Sequence, residues 1–396
     1  MALASLARRF GTPLFVYDAR AIEARFEVLR AAFAARSPLI CYAMKANSNR
    51  AIVRLLAKRG AGADIVSGGE LLRALAAGVP AERIVFSGVG KTAEELALGL
   101  KKGVLTFNVE SMGELLALES EARRLKRRAP VSVRLNPDVD PKTHPHITTG
   151  LKHNKFGVER SEALRLYEKA AGSRWLQVKG LQCHIGSQIT AVSPYAEMAT
   201  AVTDLVKELA RRRIMMDLID VGGGLGVTYK DEPAMPLKRL AASLDRLLPR
   251  GPRLLLEPGR FLVAQAGTLL TRVLYVKKTA SRTFAIVDAA MNDLARPALY
   301  DAWHPVAAVA PRRGKPQRVD VVGPVCESGD FLARDRMLPP LRPGDLLAIG
   351  GAGAYGFAMS SQYNSRPRAA EVLVDGAKAK LVGRRETLKD LVRRER

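Results

Sequence analysis

The chain has 396 residues, 47% of them hydrophobic and 26% charged, which is enough for two domains with separate apolar cores. No uninterrupted apolar run is long enough to cross a bilayer as a helix, so we expect no membrane anchor. The formal net charge is +24, and it comes from arginine-rich segments scattered among helix-like stretches without interleaved aromatic residues. These segments predict solvated helix faces rather than a specific nucleic-acid surface, and they leave weak adhesion to polyanions open.

Cysteine usage points to a reducing compartment. The three cysteines, Cys41, Cys183 and Cys326, are far apart in the chain and form no CxxC pair. The first ten residues, MALASLARRF, contain no apolar stretch followed by a small-residue cleavage site. We therefore expect a cytoplasmic protein with free thiols.

Short apolar runs alternate with amphipathic helical patterns between about residues 38 and 260. The runs are LICYAM (39–44), GADIV (62–66), RIVFSG (83–88), VLTFNV (104–109), VSVRLN (131–136), VKGLQCHIG (178–186), MDLIDVGGG (216–224) and RLLLEPGR (253–260). Apolar strands that alternate with helices are typical of parallel strands joined by crossover helices. The eight units predict an α/β fold built on a (β/α)8 barrel.

The pattern changes after residue 262, where strand-like segments follow one another without helices between them. They are GTLLTRVLYVKKT, RTFAIVDA, QRVDVVGPV, DLLAIGG and RAAEVLVDGAKAKLV. This succession predicts a C-terminal antiparallel β domain, and the early strand PLFVYD (13–18) is expected to join it. We predict an N-terminal segment at 1–28, a barrel at 29–265 and a β domain at 266–396.

Polar residues stand at the carboxyl ends of five barrel strands, where the chemistry of such barrels is found. These ends carry Lys45, the segment DIVSGGE, His184 in CHIGSQ, GGGLG (222–226) and EPGR (257–260). Taken alone, Lys45 is more simply a lysine that reaches solvent, and His184 a hydrogen-bonded core histidine. Their coincidence at one face of the barrel favours a functional site there.

Three motif-like segments do not complete the sites they suggest. SGVGKT (87–92) has Val85 where a phosphate-binding loop needs its first glycine, and GGGLGV ends on Val227 instead of the last glycine of a dinucleotide fingerprint. The glycines of GGGLG (222–226) still suit either the binding of a phosphate by backbone N–H groups or a tight strand-to-helix turn. No carboxylate or cysteine completes a ligand set with the histidines of 143–157, namely His144, His146 and His153, so we expect no metal site.

Five motifs in a fixed order carry a resemblance that covers nearly the whole chain. They are YAMKAN, HIGSQ, GGGLG, EPGR and CESGD, followed by GAYG (353–356). Each is weak alone, but together they resemble the fold-type III pyridoxal-phosphate-dependent decarboxylases, most closely the diaminopimelate decarboxylases. The resemblance implies an alanine-racemase-like barrel, pyridoxal 5′-phosphate as cofactor, and an active homodimer with shared sites.

The resemblance also implies roles for the residues of these motifs. Lys45 is expected to bind the cofactor aldehyde covalently, His184 to stack on its ring, and Glu257 to keep the ring nitrogen protonated. The other residues expected around the cofactor are Asp64, Ser67, Ser187, Gly222, Gly223, Gly224, Pro258, Gly259, Arg260 and Tyr355.

The substrate contacts follow from the same resemblance. Cys326, contributed by the neighbouring subunit, is expected to return a proton to the product, although a cysteine is more often a small apolar residue. Arginine suits a distal carboxylate through its bidentate fork. The residues expected to bind substrate are Arg260, Arg296, Tyr300, Glu327 and Tyr355.

The resemblance leaves three functions to compare. Glu327 directly after Cys326 is the pattern of the diaminopimelate group, whereas the ornithine and arginine types tend to have aspartate there. Arg296 also fits a distal carboxylate, which ornithine lacks. We therefore expect decarboxylation of meso-2,6-diaminopimelate to L-lysine and carbon dioxide, with an ornithine-, arginine- or carboxynorspermidine-type decarboxylase as the alternative. A non-catalytic regulatory homologue is disfavoured, because Lys45 and Cys326 are both present.

Overall fold

The computed structural model describes residues 1–140 and 155–395. The chain divides into two compact units. The barrel unit contains Arg25–Val227 and Pro233–Phe261, and the β unit contains Met1–Ala24, Thr228–Glu232 and Leu262–Arg396. The domain boundaries that we predict from the sequence stay predictions. The described residues do not include His144, His146 and His153. The expectation that these histidines form no metal site therefore stays a prediction.

The strands, in chain order, are β1 Leu14–Asp18, β2 Leu39–Ala43, β3 Gly62–Ile65, β4 Ile84–Phe86, β5 Thr106–Val109, β6 Ala129–Leu135, β7 Leu176–Cys183, β8 Leu218–Asp220, β9 Arg253–Leu256, β10 Gly267–Lys278, β11 Thr283–Val287, β12 Val306–Ala308, β13 Gln317–Val322, β14 Phe331–Leu338, β15 Leu346–Ile349, β16 Ala370–Asp375 and β17 Lys378–Gly383.

The α-helices are α1 Leu3–Phe10, α2 Ala19–Ala32, α3 Arg50–Lys58, α4 Gly68–Ala76, α5 Ala93–Lys102, α6 Met112–Arg124, α7 Arg160–Ala171, α8 Ser193–Arg211, α9 Leu237–Leu247, α10 Arg260–Val263, α11 Arg296–Tyr300 and α12 Leu388–Val392. Within 1–140 and 155–395, no helix is both long and apolar enough to span a bilayer.

The barrel unit is a closed ring of parallel strands in the order β2 to β9. Its strands are short and almost wholly buried, which is why they appear in the sequence as continuous apolar runs rather than as alternating ones. Helix starts are marked by side-chain caps: Ser67 accepts from the backbone of α4, Ser111 from that of α6, and Thr92 forms a capping box at α5. The predicted (β/α)8 barrel is confirmed.

The β unit is built on a nine-stranded sheet in the described residues, with the main order β14-β13-β11-β10-β1-β16-β17 and with β15 joining β10 to β12. Most neighbours are antiparallel, as predicted, while β1 with β16 and β11 with β13 run parallel. The N-terminal strand β1 lies between β10 and β16, which confirms that it joins this sheet. Leu14 and Val16 of β1 pack with Leu6 of α1, Leu270 and Val372 in its apolar core.

Candidate active site

Lys45 lies just beyond β2, in a single 3-10 turn formed by Met44–Ala46. Its Nζ is 3.9 Å from Oδ2 of Asp64, a carboxylate near the end of the neighbouring strand β3 whose side chain is 1% exposed, against 44% for Lys45. Burial, and then the negative charge of the nearby Glu257, raises the pKa of Asp64 to about 7. The positive charge of Lys45 acts in the opposite direction. The buried carboxyl group of Asp64 therefore accounts for the single lysine at the end of β2.

Glu257 directly follows β9 and is held by the loop after β8 and by a side chain of β7. Its backbone N–H donates to the carbonyl of Gly222 at 2.7 Å, and Nε2 of Gln182 on β7 donates to its Oε2 at 3.0 Å. Burial, and then the charge of Asp220 at the end of β8, raises the pKa of Glu257 well above its usual range. Burial likewise raises the pKa of Asp220 to about 6. The barrel end therefore holds three buried carboxyl groups, from Asp64, Asp220 and Glu257.

The glycine loop that follows β8 packs too tightly for side chains. Gly222 and Gly224 have positive φ angles of +68° and +88°. A Cβ on Gly223 would lie 2.1 Å from the carbonyl oxygen of Glu257, so a side chain there would collide with backbone. The N–H of Gly222 donates to Asp220 Oδ1 at 2.8 Å, which ties the loop to the carboxylates. The glycines are therefore required by close packing, and their contact with a phosphate stays a prediction.

His184 follows β7 and contacts this loop. The N–H of Gly223 donates to its Nδ1 at 3.3 Å, so Nδ1 is an acceptor. Burial, and then the positive charges of Lys45 and Arg134, lower the pKa of His184 well below its usual range. The imidazole is therefore neutral at physiological pH, and its apolar ring is suited to stacking.

The EPGR turn closes the barrel end beside Lys45. The carbonyl of Pro258 accepts from the N–H of Ala43 at 3.2 Å, and a Cβ on Gly259 would lie 3.1 Å from that of Ala46. Arg260 donates from Nη2 to Oγ of Ser187 at 3.1 Å. The structure thus brings the EPGR and HIGSQ motifs into direct contact.

Ser67 has a local structural function. Its hydroxyl accepts from the N–H of Glu70 at 3.2 Å and caps α4, while Oε2 of Glu70 accepts from the N–H of Val66. A contact of Ser67 with a cofactor stays a prediction.

The β unit carries the remaining predicted residues. Arg296 and Tyr300 stand one turn apart on α11, and the guanidinium of Arg296 is 2.9 Å from Nε2 of His304. Tyr355 has a left-handed φ of +56°.

Cys326 and Glu327 share one exposed turn of the β unit. The N–H of Cys326 donates to Oδ1 of Asn364 at 2.8 Å. Below the turn, the buried carboxylate of Asp330 accepts from the N–H groups of Met291 and Val325, each at 2.7 Å, and fixes its shape. Cys326 is the exposed thiol in the described part of the chain, whereas Cys41 and Cys183 are buried.

Comparison with known proteins identifies the family. A family model for the pyridoxal-binding domain of the pyridoxal-dependent decarboxylases matches residues 19–264. Over 392 residues the chain is 53% identical to the diaminopimelate decarboxylase of Pseudomonas aeruginosa, which covers 99% of this chain and 94% of that protein. This chain belongs to the diaminopimelate decarboxylase family.

Solved structures of the family agree with this assignment. A Helicobacter pylori diaminopimelate decarboxylase in complex with L-lysine matches with a TM-score of 0.95 and 45% identity, covering 98% of each chain. A Vibrio vulnificus lysine/ornithine decarboxylase in complex with cadaverine matches less well, with a TM-score of 0.83 and 26% identity over 94% of this chain and 95% of that one. The chain is thus more similar to the diaminopimelate decarboxylase than to the lysine/ornithine decarboxylase.

Three residues of the family fold were missed by the sequence analysis. Asp220 and Gln182 contact Gly222 and Glu257 in the barrel, and His304 contacts Arg296 in the β unit. Gln182 and Asp220 are polar residues inside the largely apolar segments LQCHIG and LIDVGGG, and a polar residue in such a segment is the signal that the sequence offers. Among the residues described, no three or more histidine, cysteine, aspartate or glutamate side chains are placed so that they could hold a metal ion together.

Proposed function

We propose that this enzyme removes one carboxylate from meso-2,6-diaminopimelate, giving L-lysine and carbon dioxide, with pyridoxal 5′-phosphate as its cofactor. The observation that carries the proposal is the amine of Lys45 beside the buried carboxylate of Asp64, on the same barrel end as buried Glu257. Similarity to diaminopimelate decarboxylases over nearly the full chain supports the choice of substrate.

The residues at the barrel end fit the cofactor. The buried carboxyl group of Glu257 pairs with Gln182 and with the carboxyl of Asp220, and its Oε1 takes no N–H donor among the described residues, which suits the N–H of a protonated pyridine ring. Gly222, Gly223 and Gly224 carry no side chains that could block a flat ring or a phosphate beside His184, and we expect the phosphate to lie along this loop. When bound, pyridoxal phosphate supplies an electron sink for the electron pair of the broken carbon–carboxylate bond.

Each barrel residue then has a defined task. Lys45 would bind the cofactor through its aldehyde, and the carboxyl group of Asp64 orients the Lys45 amine. His184, neutral because its pKa is lowered, would pack on the cofactor ring without adding positive charge. Glu257, shielded from water, keeps the ring nitrogen protonated, and the hydrogen bond from Gln182 fixes the direction of its carboxyl group.

The substrate end is assigned to residues of the β unit. Arg296 and Tyr300 bind the carboxylate that is retained, and Glu327 binds the ammonium group next to it. The thiol of Cys326 gives its proton to the carbon that has lost carbon dioxide, and the resulting thiolate recovers a proton from solvent. We also propose a homodimer in which the partner subunit's Cys326 serves each barrel, which the exposure of its turn allows. The exposed free thiol supports a cytoplasmic location.

Parallel turnover measurements test the proposed function. Carbon dioxide release is measured with meso-diaminopimelate, L-ornithine and L-arginine on the purified protein supplied with pyridoxal phosphate. We expect turnover of diaminopimelate to exceed that of the other two substrates by several orders of magnitude. Faster turnover of ornithine or arginine would contradict the proposal.

A labelling experiment tests the role of Lys45. Borohydride reduction and peptide mapping should place the cofactor on Lys45 in the wild type and in Lys58→Ala, whose lysine is exposed on α3. The Lys45→Ala variant should carry no label. Label on another lysine in the wild type would remove the chemical basis of the mechanism.

A further inference from the structure

The guanidinium of Arg296 is held by two aromatic side chains of the β unit. Arg296 is buried on α11, and its Nη1 is 2.9 Å from Nε2 of His304. Its Cζ lies 4.7 Å from the ring centroid of Tyr229, in cation–π geometry. The rings of Tyr229 and His304 meet edge to face, with centroids 5.5 Å apart. We call Tyr229 and His304 the arginine clamp.

The hydrogen bonds of His304 are compatible with only one tautomer. A guanidinium is a donor without acceptor capacity, so Nε2 of His304 must accept from Arg296. Nδ1 lies 2.9 Å from the carbonyl oxygen of Gly350, which can only accept, so Nδ1 must carry the proton. The imidazole is therefore neutral in this arrangement. A neutral acceptor orients the guanidinium without cancelling its positive charge, which a carboxylate in the same place would do.

The clamp is anchored to the sheet. His304 lies two residues before β12, and Gly350 directly follows β15, the antiparallel neighbour of β12, so the bond from Nδ1 joins the segments that flank two paired strand ends. Gly351 has a φ of +66°, and a Cβ there would lie 3.0 Å from the ring of Tyr229. The orientation of the guanidinium is therefore set by backbone elements and not by a mobile side chain alone.

We propose that His304 is a positioning residue that aims Arg296 at the carboxylate remote from the reacting carbon, and so makes the enzyme select ligands that carry one. This inference rests on the proposed function. Decarboxylation breaks one carbon–carboxylate bond of a substrate with two, so L-lysine keeps the remote carboxylate. Cadaverine, the diamine with the same carbon chain as L-lysine, has none. The two ligands therefore differ at the group that Arg296 is proposed to bind.

The experiment compares the holoenzyme of the wild type with His304→Phe, which keeps a ring but loses both hydrogen bonds, and His304→Gln, which can still accept from Arg296. Asp301→Asn is the matched control, because Asp301 is an exposed neighbour with a left-handed φ that asparagine accepts. Dissociation constants for L-lysine and cadaverine are measured by calorimetry, with kcat and KM for diaminopimelate and the melting temperature alongside.

We expect His304→Phe to raise the Kd of L-lysine and the KM of diaminopimelate by about 10- to 100-fold, with a smaller change in kcat and less than about a 2-fold change for cadaverine. His304→Gln should recover part of the L-lysine affinity, and Asp301→Asn should match the wild type. Equal weakening of both ligands, or unchanged L-lysine affinity in a variant that is folded, would overturn the inference while diaminopimelate turnover by the wild type stands. A wild type that does not decarboxylate diaminopimelate would overturn the proposed function, and the inference with it.

Discussion

Replacing the buried carboxylate of Asp64 by an amide should make the cofactor-free protein more stable at neutral pH. The pKa of Asp64 is raised from 3.8 to about 7, first by burial and then by Glu257. Each pKa unit corresponds to about 1.36 kcal/mol, so ionising this group in the folded state costs roughly 4 kcal/mol. Asparagine has nearly the same shape as a protonated aspartate and carries no such cost.

The sign of the pH dependence follows from the direction of the shift. The folded state holds the proton more tightly than the unfolded chain, so the contribution of Asp64 to stability is greatest below about pH 4, falls as the pH rises, and levels off above about pH 7. The free energy of unfolding is measured in urea for the wild type and for Asp64→Asn between pH 5 and pH 8. The advantage of the variant should grow by about 2 to 3 kcal/mol across this interval.

The control variant is Asp217→Asn, which removes a carboxylate whose side chain is 63% exposed. Its difference from the wild type should stay within about 0.5 kcal/mol at every pH. A difference between the wild type and Asp64→Asn that does not change with pH would refute the account of Asp64 as a buried group that destabilises the protein when ionised.

Three further outcomes follow from described contacts. Gly223→Ala should lower the melting temperature and abolish cofactor binding measured by absorbance, because its Cβ would collide with the carbonyl of Glu257; a variant that binds cofactor normally would contradict this. Lys91→Met should cost about 3 to 5 kcal/mol of unfolding free energy in urea by leaving Glu114 buried and unpaired, and Lys91→Met with Glu114→Gln should recover most of it. Cys326→Ala should lower kcat about 100-fold or more with little change in KM; unchanged kcat would remove the thiol from the mechanism.

The barrel was predictable because its strands are buried on both sides. Each one is a continuous apolar run, and four of the helices between them, α3 to α6, begin at side-chain caps. Two strands of the β unit, β12 and β14, were not predicted. Asp335 in β14 has a left-handed φ of +53°, and the pairing of β14 with β13 contains register shifts, so strict alternation of buried and exposed residues is lost. Helix α1 was also missed, because it depends on the packing of Leu6 and Ala7 against the sheet.

The residues of the candidate site also fall into two groups, those that the sequence predicts and those that it does not. Lys45, His184 and Glu257 stand where strands end, and strand ends are visible in a sequence. Gln182 lies within β7 and Asp220 is the last residue of β8, and their importance depends on which neighbours the barrel register brings to them. His304 shows the same limit, since its contact with Gly350 depends on the pairing of β12 with β15.

The place of β1 in its sheet has a consequence for synthesis. Leu14 of β1 pairs with Ala370 of β16. Strand β1 is synthesised early, so it lacks this neighbour until almost the whole chain has been made. At about 5 to 20 residues per second, that delay is roughly 20 to 70 seconds. During this time β1 lacks a neighbour that will cover it and presents an apolar edge that other nascent chains can join. We expect chains that terminate before residue 370 to be insoluble even though their barrel sequence is complete. We also expect a lower growth temperature or added chaperones to raise the soluble yield of this protein more than a gain in the stability of the folded state would.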